Sequence, residues 1–366
     1  MRKHLQVFTW FGGKGPLAYR IIRLMPPHRI YVEPFGGAAT VLINKPPSPV
    51  EVYNDIDEGL VGFFRVLSDP DLFAQFYRRV AVLPYSRKLY DDARRTWRDE
   101  PDPVKRAVLW FIVARQSFSG SFAHSWSFSV AHSSNGMAGR VSGWLSCLSA
   151  LPEIHARMQR VQIEQLDWQD IIDAYDTSDT LFYCDPPYPH STRSDERYAH
   201  ELTDDDHREL IDRLVRIQGM ALLSSYPNEI YAVLRDHGWQ CIEWQTACHA
   251  IGRTRETGVR GDGAALRRAP RTEVLWISPR AQERQQQRDA APGVKNGRRR
   301  PCRRPPGIGR TTHSVVRSVA HLCGPSMVCL DFRNGICHNG ATKKASLWGR
   351  RRGTNLRQDV TALCLV

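Results

Sequence analysis

Long apolar runs are missing from this 366-residue chain. A membrane-spanning helix needs roughly 20 consecutive apolar residues, and no segment of the sequence approaches that length. Near the N-terminus, Gly12-Gly13-Lys14 interrupts any apolar stretch of the kind that signal peptides contain. We therefore expect a cytoplasmic protein that has no membrane partner.

Closely paired cysteines are also missing. Cys147, Cys184, Cys241 and Cys248 form no CxxC motif, so we expect buried free thiols in a reducing compartment. The cysteines beyond residue 300 fit no usual spacing of zinc ligands. The sequence accordingly predicts neither disulfides nor a metal site.

An excess of positive charge is confined to the C-terminal end. Residues 280–366 carry 18 Lys and Arg against 4 Asp and Glu, whereas residues 1–279 have a net charge of −1. Because the 280–366 segment is basic and lacks hydrophobic periodicity, we expect it to be disordered. Its composition fits either non-specific affinity for DNA or translation of a shifted reading frame, and we favour the second.

Strand and helix patterns alternate over residues 1–69 and again over residues 160–279. Short apolar runs that end in turn residues alternate with segments of helical spacing. This alternation predicts a doubly wound α/β sheet. The predicted strands are 29–32, 50–53, 161–163, 180–184, 219–225, 239–244 and 272–277.

Residues 70–159 interrupt the alternation. Helical patterns at Phe73–Leu83, Lys88–Trp97 and Val104–Arg115 precede a polar stretch that extends to Gly143. We expect an inserted, mostly helical lobe with a long exposed loop. Basic residues outnumber acidic ones there, which indicates a polyanionic partner. The candidate phosphate contacts are Arg78, Arg79, Arg94, Arg95, Lys105 and Arg115, each of which could equally be a solvated surface charge.

The motif Asp185-Pro186-Pro187-Tyr188 follows the apolar run 180–184 and marks the end of a predicted buried strand. Proline holds the preceding residue extended and has no N–H, so this corner is rigid and its prolines offer only carbonyls. The Asp185 carboxylate and the Pro186 carbonyl can accept two hydrogens from the amine of a flat base, and the Tyr188 ring can stack on it. The alternative is an ordinary Pro-Pro turn after a strand.

A glycine-rich turn follows the strand at 29–32. In Glu33-Pro34-Phe35-Gly36-Gly37, bare backbone before a helix allows a ligand to approach closely, although the motif is not the GxGxxG of dinucleotide sites. Glu33 is placed to face a cation such as an ammonium or sulfonium, or else is solvated at the surface. Asp55 occupies the position at which such folds hold a ribose hydroxyl, or else caps a helix.

Two further segments carry candidate ligand contacts. Residues from Trp10 to Lys14 join an aromatic ring, two glycines and a cation that can pair with a ligand carboxylate; a plain turn is the alternative. Asp167 and Trp168 follow the strand at 161–163 and suit an adenine ring, with the acid accepting from its amine. Helix capping by Asp167 is the more common role for such an acid.

Taken together and in this order, the segments resemble the DNA adenine-N6 methyltransferase family of the Dam type, which includes phage and restriction-system members. The resemblance covers residues 7–278, and its order of motifs is called the alpha arrangement. Gly37-Ala38-Ala39 departs from the Gly-Ala-Gly that members often have. The matching stretches are FTWFGGKG, YVEPFGGAATVL, VYNDID, Phe118-Ser119-Gly120, LFYCDPPY and TEVLWIS.

The resemblance implies a Rossmann-like, S-adenosylmethionine-dependent methyltransferase sheet, with a catalytic domain at 1–69 and 160–279 and a target-recognition lobe at 70–159. It implies double-stranded DNA as a partner and a specific recognition sequence. A monomer and a cognate restriction endonuclease are further expectations, which the sequence itself does not decide. The implied S-adenosyl-L-methionine contacts are Trp10, Lys14, Glu33, Phe35, Gly36, Asp55, Asp167 and Asp185. The implied catalytic residues are Asp185, Pro186, Pro187 and Tyr188.

The resemblance also implies direct methyl transfer. Asp185 and the Pro186 carbonyl accept hydrogens from the adenine amine and favour a pyramidal nitrogen, whose lone pair attacks the sulfonium methyl in line. The adenine leaves the duplex stack at a cost of a few kcal/mol, partly offset by stacking on Tyr188. The alternatives are methylation of RNA adenine or of a protein amide, and a non-catalytic nucleic-acid-binding protein.

Overall fold

The computed structural model describes residues 4–10, 12–118, 125–130, 132–189, 200–247 and 270–290. All of these belong to one unit of the chain, Met1–Gly297. The strands are β1 Ile30–Glu33, β2 Val50–Asn54, β3 Ser133–Ser134, β4 Met137–Ala138, β5 Gln162–Glu164, β6 Thr180–Cys184, β7 Met220–Ser225, β8 Gln240–Ala247 and β9 Pro270–Ile277. The helices are α1 Ala18–Arg23, α2 Thr40–Asn44, α3 Glu58–Ser68, α4 Pro70–Ala81, α5 Arg87–Thr96, α6 Pro103–Gln116, α7 Gly139–Met158, α8 Trp168–Tyr175, α9 Asp204–Arg216, α10 Glu229–Ala232 and α11 Pro279–Ala290.

Seven of the described strands form one mostly parallel sheet in the order β5-β2-β1-β6-β7-β9-β8. The first five strands in this order are parallel, and β9 runs antiparallel to both β7 and β8. All residues of β6 and β7 are buried, as expected for central strands covered on both faces. The structure confirms the predicted α/β fold, and the seven predicted strands differ from those of this sheet only at their ends. The short hairpin of β3 and β4 is not predicted, because it lies in the polar stretch for which we expect a loop.

Hydrophobic residues form a core on each face of the sheet. Alternate residues of β6 point to opposite faces, so Leu181 and Tyr183 belong to one cluster while Phe182 and Cys184 belong to the other. The second cluster is completed by α8, α9 and α10. Thr203 is the N-cap of helix α9, and its side chain accepts from the Asp206 N–H in a capping box.

The helices inserted between α3 and β5 share the other core with the sheet. Helices α4, α5 and α6 confirm the three predicted patterns, and Phe111 of α6 stacks on Phe63 of α3 with ring centroids 5.6 Å apart. The 20-residue helix α7 is not predicted, because its glycines, serines and internal Pro152 have low helix propensity. Burial of Trp144, Leu151 and Ile154 in the shared core stabilises it instead.

Helix α11 corrects the prediction of disorder from residue 280. That expectation is wrong for residues 280–290, which are helical. The helix is held by the buried Ala281 and by polar contacts: the Gln285 side chain donates to the Leu24 carbonyl, and Nη1 of Arg288 donates to the Met25 carbonyl at 3.2 Å. Hydrophobic periodicity does not reveal such contacts. Residues 291–366 lie outside the described residues.

Three of the predicted free thiols fall within the described part of the chain. Cys147 and Cys184 are free and buried, and Cys241 is free and partly buried, whereas Cys248 lies outside the described residues. Among the residues that the structure describes, no helix is long and apolar enough to cross a bilayer. The same residues contain no cluster of His, Cys, Asp or Glu that could hold a metal ion.

Removal of α11 should destabilise the sheet. A chain that ends after residue 278 loses the burial of Ala281 and the carbonyl contacts of Gln285 and Arg288, whereas a chain that ends after residue 290 keeps them. We expect the shorter chain to unfold about 5 °C lower, as a loss of about 2 kcal/mol would produce in a protein of this size. Thermal unfolding of the two chains measures the difference, and equal midpoints would contradict the stabilising role of α11.

Candidate active site

A cavity of about 520 Å³ lies where the carboxyl ends of β1, β2 and β6 meet. It joins the glycine-rich turn after β1 to Asp185 and Pro187 of the Asp-Pro-Pro-Tyr corner after β6, whereas Pro186 and Tyr188 of that corner are not among its lining residues. All the residues predicted to contact the methyl donor line it. They are Trp10, Lys14, Glu33, Phe35, Gly36, Asp55, Asp167 and Asp185.

The glycine-rich turn packs directly against β2. The Gly36 N–H donates to the Asn54 carbonyl at 2.8 Å, and a Cβ at Gly36 would lie only 2.2 Å from Cε2 of Tyr53. Gly37 and Ala39 have φ angles of 49° and 51°. The left-handed conformation of Ala39 costs a non-glycine residue about 1 kcal/mol, a cost that glycine at this position would avoid.

Asp55 is fixed by the turn rather than by a helix. Its carboxylate accepts from the Gly37 N–H at 2.8 Å and from the Asp57 N–H at 3.0 Å. The capping alternative is wrong, because the N-cap of α3 is Asp57, whose side chain accepts from the Leu60 N–H. Burial raises the pKa of Asp55 to about 6, although the two N–H contacts oppose the shift.

Glu33 is a buried carboxylate, so the alternative of surface solvation is wrong. Only 2% of the residue is exposed, and Oε1 accepts from the Tyr31 hydroxyl at 2.7 Å and from the Leu42 N–H at 2.8 Å. Burial raises the pKa of Glu33 to about 8, against the opposing effect of these donors. A cation bound in the cavity would favour its charged form.

Lys14 and Asp185 form a buried ion pair. The Lys14 ammonium lies 2.7 Å from Asp185 Oδ1 and donates to the Gly12 carbonyl at 3.0 Å. Lys14 thus pairs with Asp185 and not with the ligand carboxylate that the sequence predicts. Burial raises the pKa of Asp185, and Lys14 opposes that shift.

The hydroxyl of Tyr188 binds a residue that was not predicted to belong to the site. This hydroxyl donates to Glu273 Oε2 at 3.0 Å, and the Tyr188 ring packs edge-on against Tyr226 with centroids 4.4 Å apart. Glu273 belongs to β9, on the face that also carries the buried Leu275 and Ile277. An acid on such an apolar face is the signal that could have identified it.

Two aromatic residues and one acid also line the cavity. The Trp10 ring packs against Trp110 at a centroid distance of 6.2 Å, and Phe35 packs against Trp168 at 6.3 Å. Asp167 is the N-cap residue of α8 but makes no capping hydrogen bond with its side chain. Its carboxylate is therefore not engaged in the capping role that the sequence analysis considered more common.

Asn54 ties together the loops that form the cavity. Its side-chain amide donates to the Pro34 carbonyl at 2.9 Å and to the Leu166 carbonyl at 3.0 Å, and its oxygen accepts from the Leu166 N–H at 2.8 Å. These contacts connect the chain after β1, β2 and β5. Asn54 follows the predicted strand 50–53, and no local pattern in the sequence indicates this role.

Several of the candidate phosphate contacts are paired within the lobe. Arg79 lies 3.6 Å from Asp102. Lys105 lies 2.8 Å from Glu100, and Arg115 donates to the Gly143 carbonyl at 2.7 Å. Arg95 similarly pairs with Asp92 at 2.5 Å. Ser119 and Gly120 of the Phe118-Ser119-Gly120 stretch lie outside the described residues.

A different basic residue lies beside aromatic rings on the lobe. The Arg87 guanidinium is 5.0 Å from the ring centroid of Trp126 and 5.6 Å from that of Phe128. Phe128 and Val130 are exposed despite being apolar. Such a mixture of cation and exposed ring is typical of surfaces that contact nucleic acids, and the sequence analysis did not single out Arg87.

A parallel sheet of this order, with a glycine turn after β1, an acid after β2 and a proline corner after β6, defines an α/β methyltransferase. The family model described as "D12 class N6 adenine-specific DNA methyltransferase" matches residues 10–246. The chain belongs to this family, which confirms the resemblance inferred from its motifs.

Similar proteins carry the same activity in their names. A DNA adenine methylase of Vibrio cholerae is 28% identical over 237 residues, which cover 62% of this chain and 82% of the relative. One from Escherichia coli K12 is 30% identical over 122 residues, 33% of this chain and 44% of the relative. One from Salmonella typhimurium LT2 is 26% identical over 190 residues, 51% of this chain and 66% of the relative.

Substitution of Gly36 by alanine should damage both the turn and the cavity. The new Cβ would overlap the buried Tyr53 ring, which costs about 1–3 kcal/mol of stability, and would displace the turn that carries Phe35. Gly62→Ala is the matched control, because nothing lies within 4 Å of its Cβ and alanine stabilises a helix interior by about 0.5–1 kcal/mol. Chemical denaturation of both variants tests this. A Gly36→Ala variant as stable as wild type would show that the turn can move without cost.

Proposed function

We propose that this chain transfers a methyl group from S-adenosyl-L-methionine to the N6 amine of adenine in DNA. The observation that carries the proposal is the single cavity bounded by the glycine turn, by the buried acids Glu33 and Asp55, and by Asp185. Membership of the adenine-specific family supports the same substrate.

The residues of the cavity fit the methyl donor. Its volume of about 520 Å³ falls in the range of small-molecule sites. The backbone at Gly36 leaves no space for a side chain beside Tyr53, Asp55 offers acceptors for ribose hydroxyls, and Glu33 can face a positive group. When bound, S-adenosyl-L-methionine supplies a sulfonium methyl group that an amine nitrogen can attack.

The Asp185 corner would prepare the adenine amine. The carboxylate of Asp185 and the carbonyl of Pro186 accept its two hydrogens, which concentrates the lone pair on nitrogen. Because burial raises the pKa of Asp185, its carboxylate accepts a proton more readily than an exposed aspartate does. The ring of Tyr188 stacks on the base, and Pro187 lines the cavity beside it.

The lobe would hold double-stranded DNA, from which the adenine is turned out into the cavity. Arg87 can contact phosphates while the rings of Trp126 and Phe128 contact bases or sugars. Unstacking costs a few kcal/mol, which contact with Tyr188 partly offsets. Action as a monomer and the existence of a cognate restriction endonuclease stay predictions of the sequence analysis.

Replacement of Asp185 by asparagine should abolish most methyl transfer. Asparagine keeps the size of the side chain but accepts hydrogens and protons more weakly, so we expect kcat to fall at least about 100-fold. Transfer of tritiated methyl groups to adenine in duplex DNA measures the effect. Asp205→Asn, at an exposed acid paired with Arg208, is the control and should keep wild-type activity. Full activity of Asp185→Asn would remove this carboxylate from the mechanism.

Ionisation of Glu33 should make the binding of S-adenosyl-L-methionine depend on pH. Its pKa of about 8 leaves it mainly protonated at neutral pH, and a cation in the cavity favours the charged form. Between pH 6.5 and 8 the affinity of wild type relative to Glu33→Gln should therefore rise, by up to about tenfold per pH unit, and then level off above pH 8. The affinity rises with pH because, below the pKa of Glu33, binding of the cation must first release the proton from its carboxyl group.

Calorimetric titration with S-adenosyl-L-methionine in buffers of different ionisation enthalpy measures both the affinity and the proton release. The ratio to Glu33→Gln removes the contribution of the donor's own amino group. Glu58→Gln, at an exposed position, is the control and should follow wild type. A ratio that is constant with pH would show that Glu33 does not meet a positive group.

A further inference from the structure

The ammonium of Lys14, a residue that lines the cavity, lies between two carboxylates. Its Nζ is 2.7 Å from Asp185 Oδ1 and 3.9 Å from Glu273 Oε2, and it lies 4.7 Å from the ring centroid of Tyr188. Only 5% of Lys14 is exposed. The ammonium therefore occupies one of the Asp185 oxygens to which the amine of an incoming base would donate.

Glu273, on strand β9, contacts both Tyr188 and Lys14, the two side chains next to the Asp185 carboxylate. Its Oε2 accepts the Tyr188 hydroxyl at 3.0 Å and is the same atom that faces the Lys14 ammonium. Tyr188 is buried, with its ring edge-on to Tyr226, so a hydrogen bond at the hydroxyl restricts the plane of the ring. A change at Glu273 alters the stacking ring and the cation together.

We propose that Glu273 is a positioning residue, which orients the Tyr188 ring and gives Lys14 a second anion to bind, so that Asp185 becomes free to accept hydrogens from the adenine amine. This inference rests on the proposed function. The step exchanges one ionic hydrogen bond for another and breaks no covalent bond.

The exchange requires only a small movement. The Lys14 ammonium must approach Glu273 by about 1 Å to form a normal charge-assisted hydrogen bond, which is within the reach of a lysine side chain. Although burial lowers it, Asp185 and Glu273 together hold the pKa of Lys14 above its ordinary value, so the group stays charged in either position. Without the charge of Glu273, Lys14 remains on Asp185 and competes with the base.

The charge of Glu273 can be separated from its hydrogen bond by two substitutions. Glu273→Gln keeps an oxygen for the Tyr188 hydroxyl and loses the charge, and we expect kcat to fall about tenfold with the KM for S-adenosyl-L-methionine changed less than about twofold. In a Lys14→Met background the same substitution should change kcat less than about twofold, because no ammonium remains to be moved. Glu243→Gln, at an exposed glutamate on the neighbouring strand β8, is the matched control and should keep wild-type kinetics.

The hydrogen bond to Tyr188 has its own test. Glu273→Ala should lose more activity than Glu273→Gln, because it also removes the acceptor of the Tyr188 hydroxyl. Tyr188→Phe removes that contact together with the interaction of the hydroxyl with Asp185, so the free-energy losses of Glu273→Ala and Tyr188→Phe should combine to less than their sum. Strictly additive losses would contradict an orienting role for Glu273.

A measurement that does not depend on methyl transfer distinguishes this inference from the proposed function. The ¹³Cε resonance of Lys14, assigned with Lys14→Met, reports its pKa, which should fall in Glu273→Gln but not in Glu243→Gln. If the wild-type protein methylates no adenine, the proposed function fails. The titration then still shows whether Glu273 interacts with the Lys14 ammonium. If wild type is active, and Glu273→Gln matches it in both kinetics and titration, the positioning role is overturned.

Discussion

Parallel pairing of β1 with both β2 and β6 is the constraint on which the site depends. Glu33 pairs with Tyr53, and Val32 pairs with Phe182. Continued past the strand ends, these registers bring Phe35 level with both Asp55 and Asp185. Three segments that are far apart in the sequence therefore meet at one edge of the sheet, because parallel strands place their carboxyl ends together.

Burial of acids at this edge prepares the cavity electrostatically. Glu33, Asp55 and Asp185 all have raised pKa values, in each case chiefly because burial disfavours the charged carboxylate. Hydrogen bonds to the turn or pairing with Lys14 only partly compensate. A positively charged ligand in the cavity would favour the charged form of these acids.

The inserted lobe is joined to the sheet by more than apolar packing. Arg157 of α7 lies 2.6 Å from Glu51 Oε2 on β2 and donates to the Leu42 carbonyl of α2 at 2.9 Å. The Leu42 N–H in turn donates to Glu33. Helix α7 thus contacts β2 and α2, which both carry residues that line the cavity. The lobe and the sheet share one hydrophobic core.

The sequence by itself determined the α/β alternation, the site motifs and the family. Hydrophobic periodicity, turn residues and the Asp185-Pro186-Pro187-Tyr188 motif are local properties, so they can be recognised without the structure. Helices α7 and α11 were not predicted, since both depend on contacts with residues distant in the chain. Only the tertiary structure decided that Asp57 rather than Asp55 caps α3, and that Glu273 reaches Tyr188. These roles follow from register and burial, which join residues that no local pattern connects.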